Sequence, residues 1–282
     1  MPAPDFVAIG HVTLDRFGDV VRPGGAALFA AVTAHRLGLS AGILTSHGDD
    51  FPLDLLPTQI EVVSVPAPET TRFTHRHEGV TRVMDVPSIA RPLGMEDVPD
   101  DWRGASIVLL APVIDEVDPH LTVAFSEATV AAAAQGWLRA REASGAILSR
   151  PWTPPDFLVG RVQALFLSRE DVLGQEERIV ELYQRVPLGV LTADRHGALL
   201  FVNGERYEVR PRRAREVDAT GAGDVFAAAF LVHYHREGDP WEAASAGACA
   251  GSIAVEGEGW SALPDRRVLE AALSRYRADR GG

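Results

Sequence analysis

The densest chemistry in the sequence lies in Val217-Asp218-Ala219-Thr220-Gly221-Ala222-Gly223-Asp224-Val225-Phe226, which runs on into an alanine-rich apolar stretch at 227–231. A loop of small residues entering a helix leaves the first helical N–H groups without intrahelical partners. Those donors and the helix dipole together make an anion site that needs no lysine. Gly221, Ala222 and Gly223 leave room for an anion against the backbone. Asp224 is a poor choice for merely binding that anion, because the charges repel. It makes sense as a base that takes the proton of a hydroxyl attacking a phosphoryl group. The plainer alternative is that Asp224 only caps the helix. A dinucleotide fingerprint starting at Gly221-x-Gly223 is disfavoured, since Phe226 stands where Gly or Ala is expected and no strong strand leads in.

Composition narrows the field. The 282 residues are 46% hydrophobic and 23% charged, an ordinary globular balance. All 27 basic residues other than histidine are arginine. Schiff-base chemistry, a lysine nucleophile and a Walker A loop are therefore excluded. A net charge of −12 argues against nucleic acid as a partner. The arginines at 206, 210, 212, 213 and 215 read as a solvated strand-and-loop face. A single cysteine, Cys249, forms no internal disulfide. Neither a signal peptide nor a membrane span is expected, and the reading is cytoplasmic. His75 with His77, and His233 with His235, lack a third ligand at metal-site spacing.

The elements that must hold these residues alternate between strand and helix. Strands are expected at 6–10, 41–45, 107–110, 146–149, 165–168 and 190–192. Helices are expected at 24–37, 170–185, 222–235, 241–255 and 264–277. Such alternation predicts a mostly parallel sheet with helices on both faces. Residues 60–86 instead alternate polar and apolar, and predict exposed antiparallel strands joined near Glu78-Gly79. A lid over a ligand is one reading of them, an ordinary surface hairpin the other. One α/β domain over 1–282 is expected, with a lid contributed mainly by about 11–22 and 60–86.

Asp218-Ala219-Thr220-Gly221-Ala222-Gly223-Asp224 resembles the C-terminal signature of the ribokinase-like (PfkB-type) carbohydrate kinases. A second similarity is Gly24-Gly25-Ala26-Ala27, then Arg36-Leu37-Gly38, then Ile43 through Asp50. The resemblance implies a three-layer α/β sandwich with a β lid, and transfer of the ATP γ-phosphoryl group to a substrate hydroxyl. It implies Asp224 as base, and the backbone of Gly221, Ala222 and Gly223 as anion hole. Asp15, Gly24 and Gly25 would bind substrate. Ser168, Thr192, Asp194, Arg195 and Gly197 would bind ATP. Asp171 and Glu170 would hold Mg²⁺ through water, and Asp218 and Thr220 a monovalent cation such as K⁺. By analogy, a homodimer could form through the lid.

Several positions depart from the family pattern. Ser168-Arg169-Glu170-Asp171 stands where Asn followed three residues later by Glu is frequent. Asp194 stands where glycine is usual, and Ala26 where many sugar kinases carry Asn or Lys. The expected substrate is a small sugar or polyol. Gly24-Gly25-Ala26-Ala27 and residues 254–259 resemble the inositol-kinase branch. A nucleoside kinase is the alternative, and would need an aromatic wall of which Phe73 supplies part. Arg72, Arg76 and Arg82 keep sugar phosphates in play, and His75 or Arg76 could touch substrate. A sensor that has kept the fold and lost catalysis is the reading from another class.

Overall fold

The computed structural model describes residues 2–78 and 81–280. Its frame is a nine-stranded sheet in the order β15-β14-β13-β12-β9-β8-β1-β4-β5. The members are β1 (Phe6–Ile9), β4 (Ala41–His47), β5 (Ile60–Pro66), β8 (Ile107–Leu110), β9 (Thr129–Ala133), β12 (Ala164–Ser168), β13 (Leu188–Thr192), β14 (Ala198–Val202) and β15 (Glu205–Val209). From β13 to β5 every pairing is parallel; β14 and β15 close that edge as an antiparallel hairpin. The central strands β1 and β8 are buried at every position, as near-continuous apolar runs in a covered parallel sheet should be.

Apolar side chains fill both faces of this sheet. One face packs against α1 (Ala26–Arg36), α4 (Ala222–Glu237), α5 (Pro240–Ala254) and α6 (Arg266–Arg280). The other packs against α2 (Asp156–Val159), α3 (Glu176–Tyr183) and several 3-10 turns. Alanine and glycine let α4 and α5 approach closely: a Cβ on Gly247 would sit 2.8 Å from the Phe226 ring. The result is the expected three-layer α/β sandwich.

A second sheet, in the order β3-β2-β6-β7, is built from most of the residues expected to form a lid. It is built from β2 (Thr13–Phe17), β3 (Val20–Gly24), β6 (Thr71–Glu78) and β7 (Thr81–Ser88). The lid is thus narrower than expected. Residues 60–66 are not part of it, because Ile60 to Pro66 pair in register with Ala41 to His47 as the parallel edge of the main sheet. The turn expected near Glu78-Gly79 falls partly on Gly79 and Val80, outside the described residues.

Other elements shift as well. Gly24 belongs to β3 and Gly25 caps α1, so that helix starts at Ala26 rather than Gly24. Residues 170–173 form turns, and α3 begins only at Glu176. The strand expected at 146–149 is β11 (Ile147–Ser149), which pairs with β10 (Arg139–Arg141) in a separate ribbon. β9 carries a Thr-Val-Ala-Ala-Ala sequence with little β-branched signal. Its place between β8 and β12 comes from its neighbours. Among the described residues no helix is long and apolar enough to cross a membrane.

Candidate active site

The loop before α4 turns on Gly221, whose φ is 77°. A Cβ there would also lie 2.5 Å from the Phe29 ring, so both conformation and space demand glycine. Phe29 stands in the first turn of α1 and bonds back to Gly25. The contact therefore draws the start of α1 to the start of α4. It sets the Gly24-Gly25 pair and the Gly221-to-Asp224 loop side by side.

The first intrahelical bond of α4 runs from Val225 N–H to Gly221 O at 2.9 Å. The Ala222 amide is already turned to Ala219 O at 3.2 Å. That leaves the amides of Gly223 and Asp224, more than that of Ala222, as candidate donors to an anion. Gly223 is exposed, and a Cβ there would meet only open space. Asp224 makes no side-chain cap; the cap position is Gly221, which has no side chain to offer. The capping alternative is therefore set aside.

Asp224 is half-buried. Desolvation raises its carboxyl from the ordinary 3.8 to about 7, with Arg139 pulling it down and Asp171 pushing it up. Arg139 was not singled out from the sequence. It is half-buried at the start of β10, donating to Val113 O at 3.2 Å. Burial lowers its pKa, while Asp171, Asp224, Glu170 and Glu116 favour its charge. It stays protonated, as guanidinium does in proteins. Arg139 follows the alanine run 131–134 only after Gln135, Gly136, Trp137 and Leu138, a spacing with no diagnostic value.

Asp171 is held tightly. Its Oδ1 accepts from Gln135 Nε2 at 2.8 Å, and its Oδ2 from Ser168 Oγ at 2.6 Å and Ser168 N at 3.0 Å. With both oxygens engaged, Asp171 fits a scaffolding role better than a metal shell. Glu170 is exposed and, of the two carboxylates, is the one that could meet the water shell of a Mg²⁺ ion. Among the described residues no cluster of three or more metal-ligating side chains occurs.

The loop 192–197 lies beside this group, because Ser168 and Thr192 are register partners across β12 and β13. Asp194 sits at φ 46° and Gly197 at φ 87°. The left-handed turn explains why glycine would suit position 194; aspartate tolerates it as well. A cavity of about 260 Å³ opens next to the loop, lined in part by Arg169, His196, Leu199, Arg210 and Pro211. Arg195 is exposed on the same turn.

Asp15 is buried in the lid and accepts from Thr13 Oγ1 at 2.9 Å. The paired glycines serve it directly. A Cβ on Gly24 would collide with the Asp15 carboxylate, and one on Gly25 with the His11 backbone. What approaches these glycines is thus β2 and the residues leading into it, rather than a ligand alone. His11, fully buried where β1 hands over to the lid, bonds Thr71 Oγ1 at 2.7 Å and Arg91 O at 2.8 Å. Arg72 pairs with Asp50 and Arg76 with Asp85, and alternation along β6 puts both on the face opposite that of Asp15 and Phe73. Arg76 therefore does not face the site; Arg82 has no described side chain. His233 and His235 lie in the last turns of α4, at the far end from Asp224.

Comparisons with known proteins bear on the fold and the family. The model of the pfkB family carbohydrate kinases matches residues 161–266. A cytidine kinase from Thermococcus kodakarensis is 27% identical over 261 residues, spanning 84% of this chain and 91% of that protein. A pyrophosphate-dependent kinase in the ribokinase family, complexed with a pyrophosphate analog and myo-inositol, superposes with a TM-score of 0.79. It is 21% identical, with 94% of this chain and 99% of that one covered. Ribokinase of Arabidopsis thaliana, complexed with ribose and ATP, gives a TM-score of 0.69 at 17% identity, covering 96% and 99%. At those identities the two structures show the shared fold. With the signature loop and the second sheet, the matched family model makes the chain similar to the pfkB family carbohydrate kinases over residues 161–266, on a fold shared with ribokinase-family structures.

Proposed function

We propose that the chain transfers the γ-phosphoryl group of ATP to a hydroxyl of a small sugar or polyol, an inositol-type ring being the favoured acceptor. The observation that carries this is Asp224, a carboxylate raised to about 7 beside the open amides of an α-helix N-terminus. That arrangement suits a base that must hold a proton briefly near neutral pH. A sensor would have no use for it.

The lid brings Asp15 over the acceptor as a hydrogen-bond partner for its hydroxyls, and excludes water that would compete for the phosphoryl group. Asp224 takes the proton of the attacking hydroxyl. The amides of Gly223 and Asp224, with Arg139, face the charge on the transferring group. A bound Mg²⁺ would offset the charge of the donor phosphates, and the exposed Glu170 would be a carboxylate available to its water shell. The cavity by Leu199 and Pro211 is where the far end of a nucleotide would sit.

The lid aromatics favour a polyol over a nucleoside. Phe17 stacks on His75 of β6, with ring centroids 4.4 Å apart and planes within 4°. Arg22 of β3 lies 5.6 Å from the Phe17 ring centroid. Since β3 and β6 flank β2 on opposite sides, both ring faces are taken. Phe73 is itself buried. Among the described lid residues, Phe17 and Phe73 thus offer a nucleobase no open ring face to stack on. The cytidine kinase relative keeps the nucleoside reading as the second one.

Product formation over polyols, pentoses, hexoses and nucleosides, with ATP and with pyrophosphate as donors, tests both readings. Turnover with a polyol and ATP is expected; turnover with cytidine alone would replace the acceptor, and with pyrophosphate alone the donor. A companion prediction concerns Gly24→Ala. Displacing Asp15 should raise the acceptor KM about 10- to 100-fold, the worth of a hydrogen bond to a charged group, and leave the donor KM unchanged. Steady-state kinetics against each substrate checks it.

A further inference from the structure

Asp218 and Thr220 match positions expected, by resemblance, to hold a monovalent cation, and their surroundings here do not fit that ion. Asp218 Oδ1 accepts the Thr220 amide at 2.9 Å. Its Oδ2 faces the guanidinium of Arg22, with Nη1 at 3.4 Å. The other arm of Arg22 reaches Glu258 Oε2 at 2.9 Å. A second positive charge at Asp218 would sit against an arginine in a partly desolvated place, where like charges repel strongly. Asp218 is the more enclosed partner, its side chain 17% exposed against 35% for Arg22.

Arg22 is not part of the body of the protein. It stands on β3 directly opposite Asp15 in register, so both project from one face of the lid. The amides of Val217 and Asp218 are pinned to Val255 O at 2.7 and 3.2 Å, at the end of α5. One carboxylate therefore joins two things: the turn that sets Gly221 in its left-handed conformation, and the lid strand that carries the partner of Asp15.

We propose that Arg22 supplies the positive charge at Asp218 in place of a monovalent cation, and that through it the seating of the lid sets the loop of the anion site. Arg22 is a positioning residue: it acts on Asp218, and Asp218 on the Thr220-to-Asp224 turn. Two consequences follow from this chain's own residues. Phosphoryl transfer does not depend on K⁺. Lid closure and the arrangement of the Gly223 and Asp224 amides rise and fall together.

The inference rests on the kinase reading, and the experiment separates the two. Wild-type turnover, with whichever acceptor and donor the panel identifies, is measured in KCl and in choline chloride at equal ionic strength. Equal rates are expected; a rate that collapses in choline chloride overturns the proposal while leaving the kinase reading intact. No turnover with any acceptor or donor removes the kinase reading itself. Thermal unfolding of the unliganded protein, run in the same two salts, should give one midpoint, and a K⁺-specific rise would count against the proposal. Arg22→Ala should lower kcat about 10- to 100-fold, the factor a charge-assisted contact is worth, and K⁺ should restore part of it. Arg22→Lys should keep most of the activity. A variant that raises only the acceptor KM, with kcat intact and no response to K⁺, would make Arg22 a simple lid brace and overturn the proposal. Since Arg22 is partly exposed, circular dichroism should show both variants folded.

Discussion

Asp224→Asn should lower kcat about 10³- to 10⁴-fold while leaving nucleotide binding near its wild-type strength, the upper range of what a positioned base contributes. The same substitution should stabilise the protein above neutral pH. The folded carboxyl titrates near 7 and the unfolded one at 3.8. Between those values the folded state holds the proton and the unfolded state has released it. Stability associated with the protonated group is therefore complete below about pH 4 and is lost as pH rises through 7. By pH 8 the ionised Asp224 costs about 4 kcal/mol relative to the protonated group. Asparagine is neutral throughout and escapes that loss. Urea unfolding of the unliganded protein at pH 4.5 and pH 8 checks the sign: the variant should gain clearly more over wild type at pH 8. Equal stabilities at pH 8 would mean that the base is not held against its ionisation.

The second large effect is expected at Arg139. Arg139→Gln should lower kcat at least about 100-fold, since arginines facing a transferring phosphoryl group contribute 10³ or more in other phosphotransferases. It should also move the pH profile. The guanidinium pulls the Asp224 pKa down, against desolvation and the Asp171 charge that push it up. Without that pull the carboxyl titrates higher, and the acidic limb of kcat/KM shifts to higher pH. Arg139→Lys should hold the limb near its wild-type position while losing part of kcat, because an ammonium keeps the charge and not the planar fork. An unmoved limb in the Gln variant would leave Arg139 as a mere anchor to Val113 O.

Both effects arise at a site whose two halves differ in how far the sequence reveals them. Residues 218–224 announce themselves locally: small residues, two glycines and an aspartate running into an apolar helix are a pattern that only a few backbone arrangements accept. The strands at 6–10, 107–110 and 165–168 are similarly plain, because burial on both faces demands unbroken apolar runs. Residues 60–66 show the opposite case. Their alternation is real, since one edge of a parallel sheet is half-exposed, yet alternation alone cannot say which sheet the strand joins.

The sequence by itself determined the α/β alternation, the small-residue loop at 218–224, Asp224 as the candidate base, and the paired glycines near the start. Each is a short-range pattern whose physics is complete within a few residues. Only the tertiary structure decided why those glycines are required, through Phe29 at Gly221 and the Asp15 carboxylate at Gly24. It alone brought Arg139 to Asp224, fastened Asp171 between Gln135 and Ser168, and set Arg22 on Asp218. Arg22 and Asp218 are 196 positions apart in the chain. Contacts of that kind leave no periodicity or spacing behind, because they come from the order in which strands and helices pack, and one arginine among 27 reads like any other until the fold chooses its neighbours.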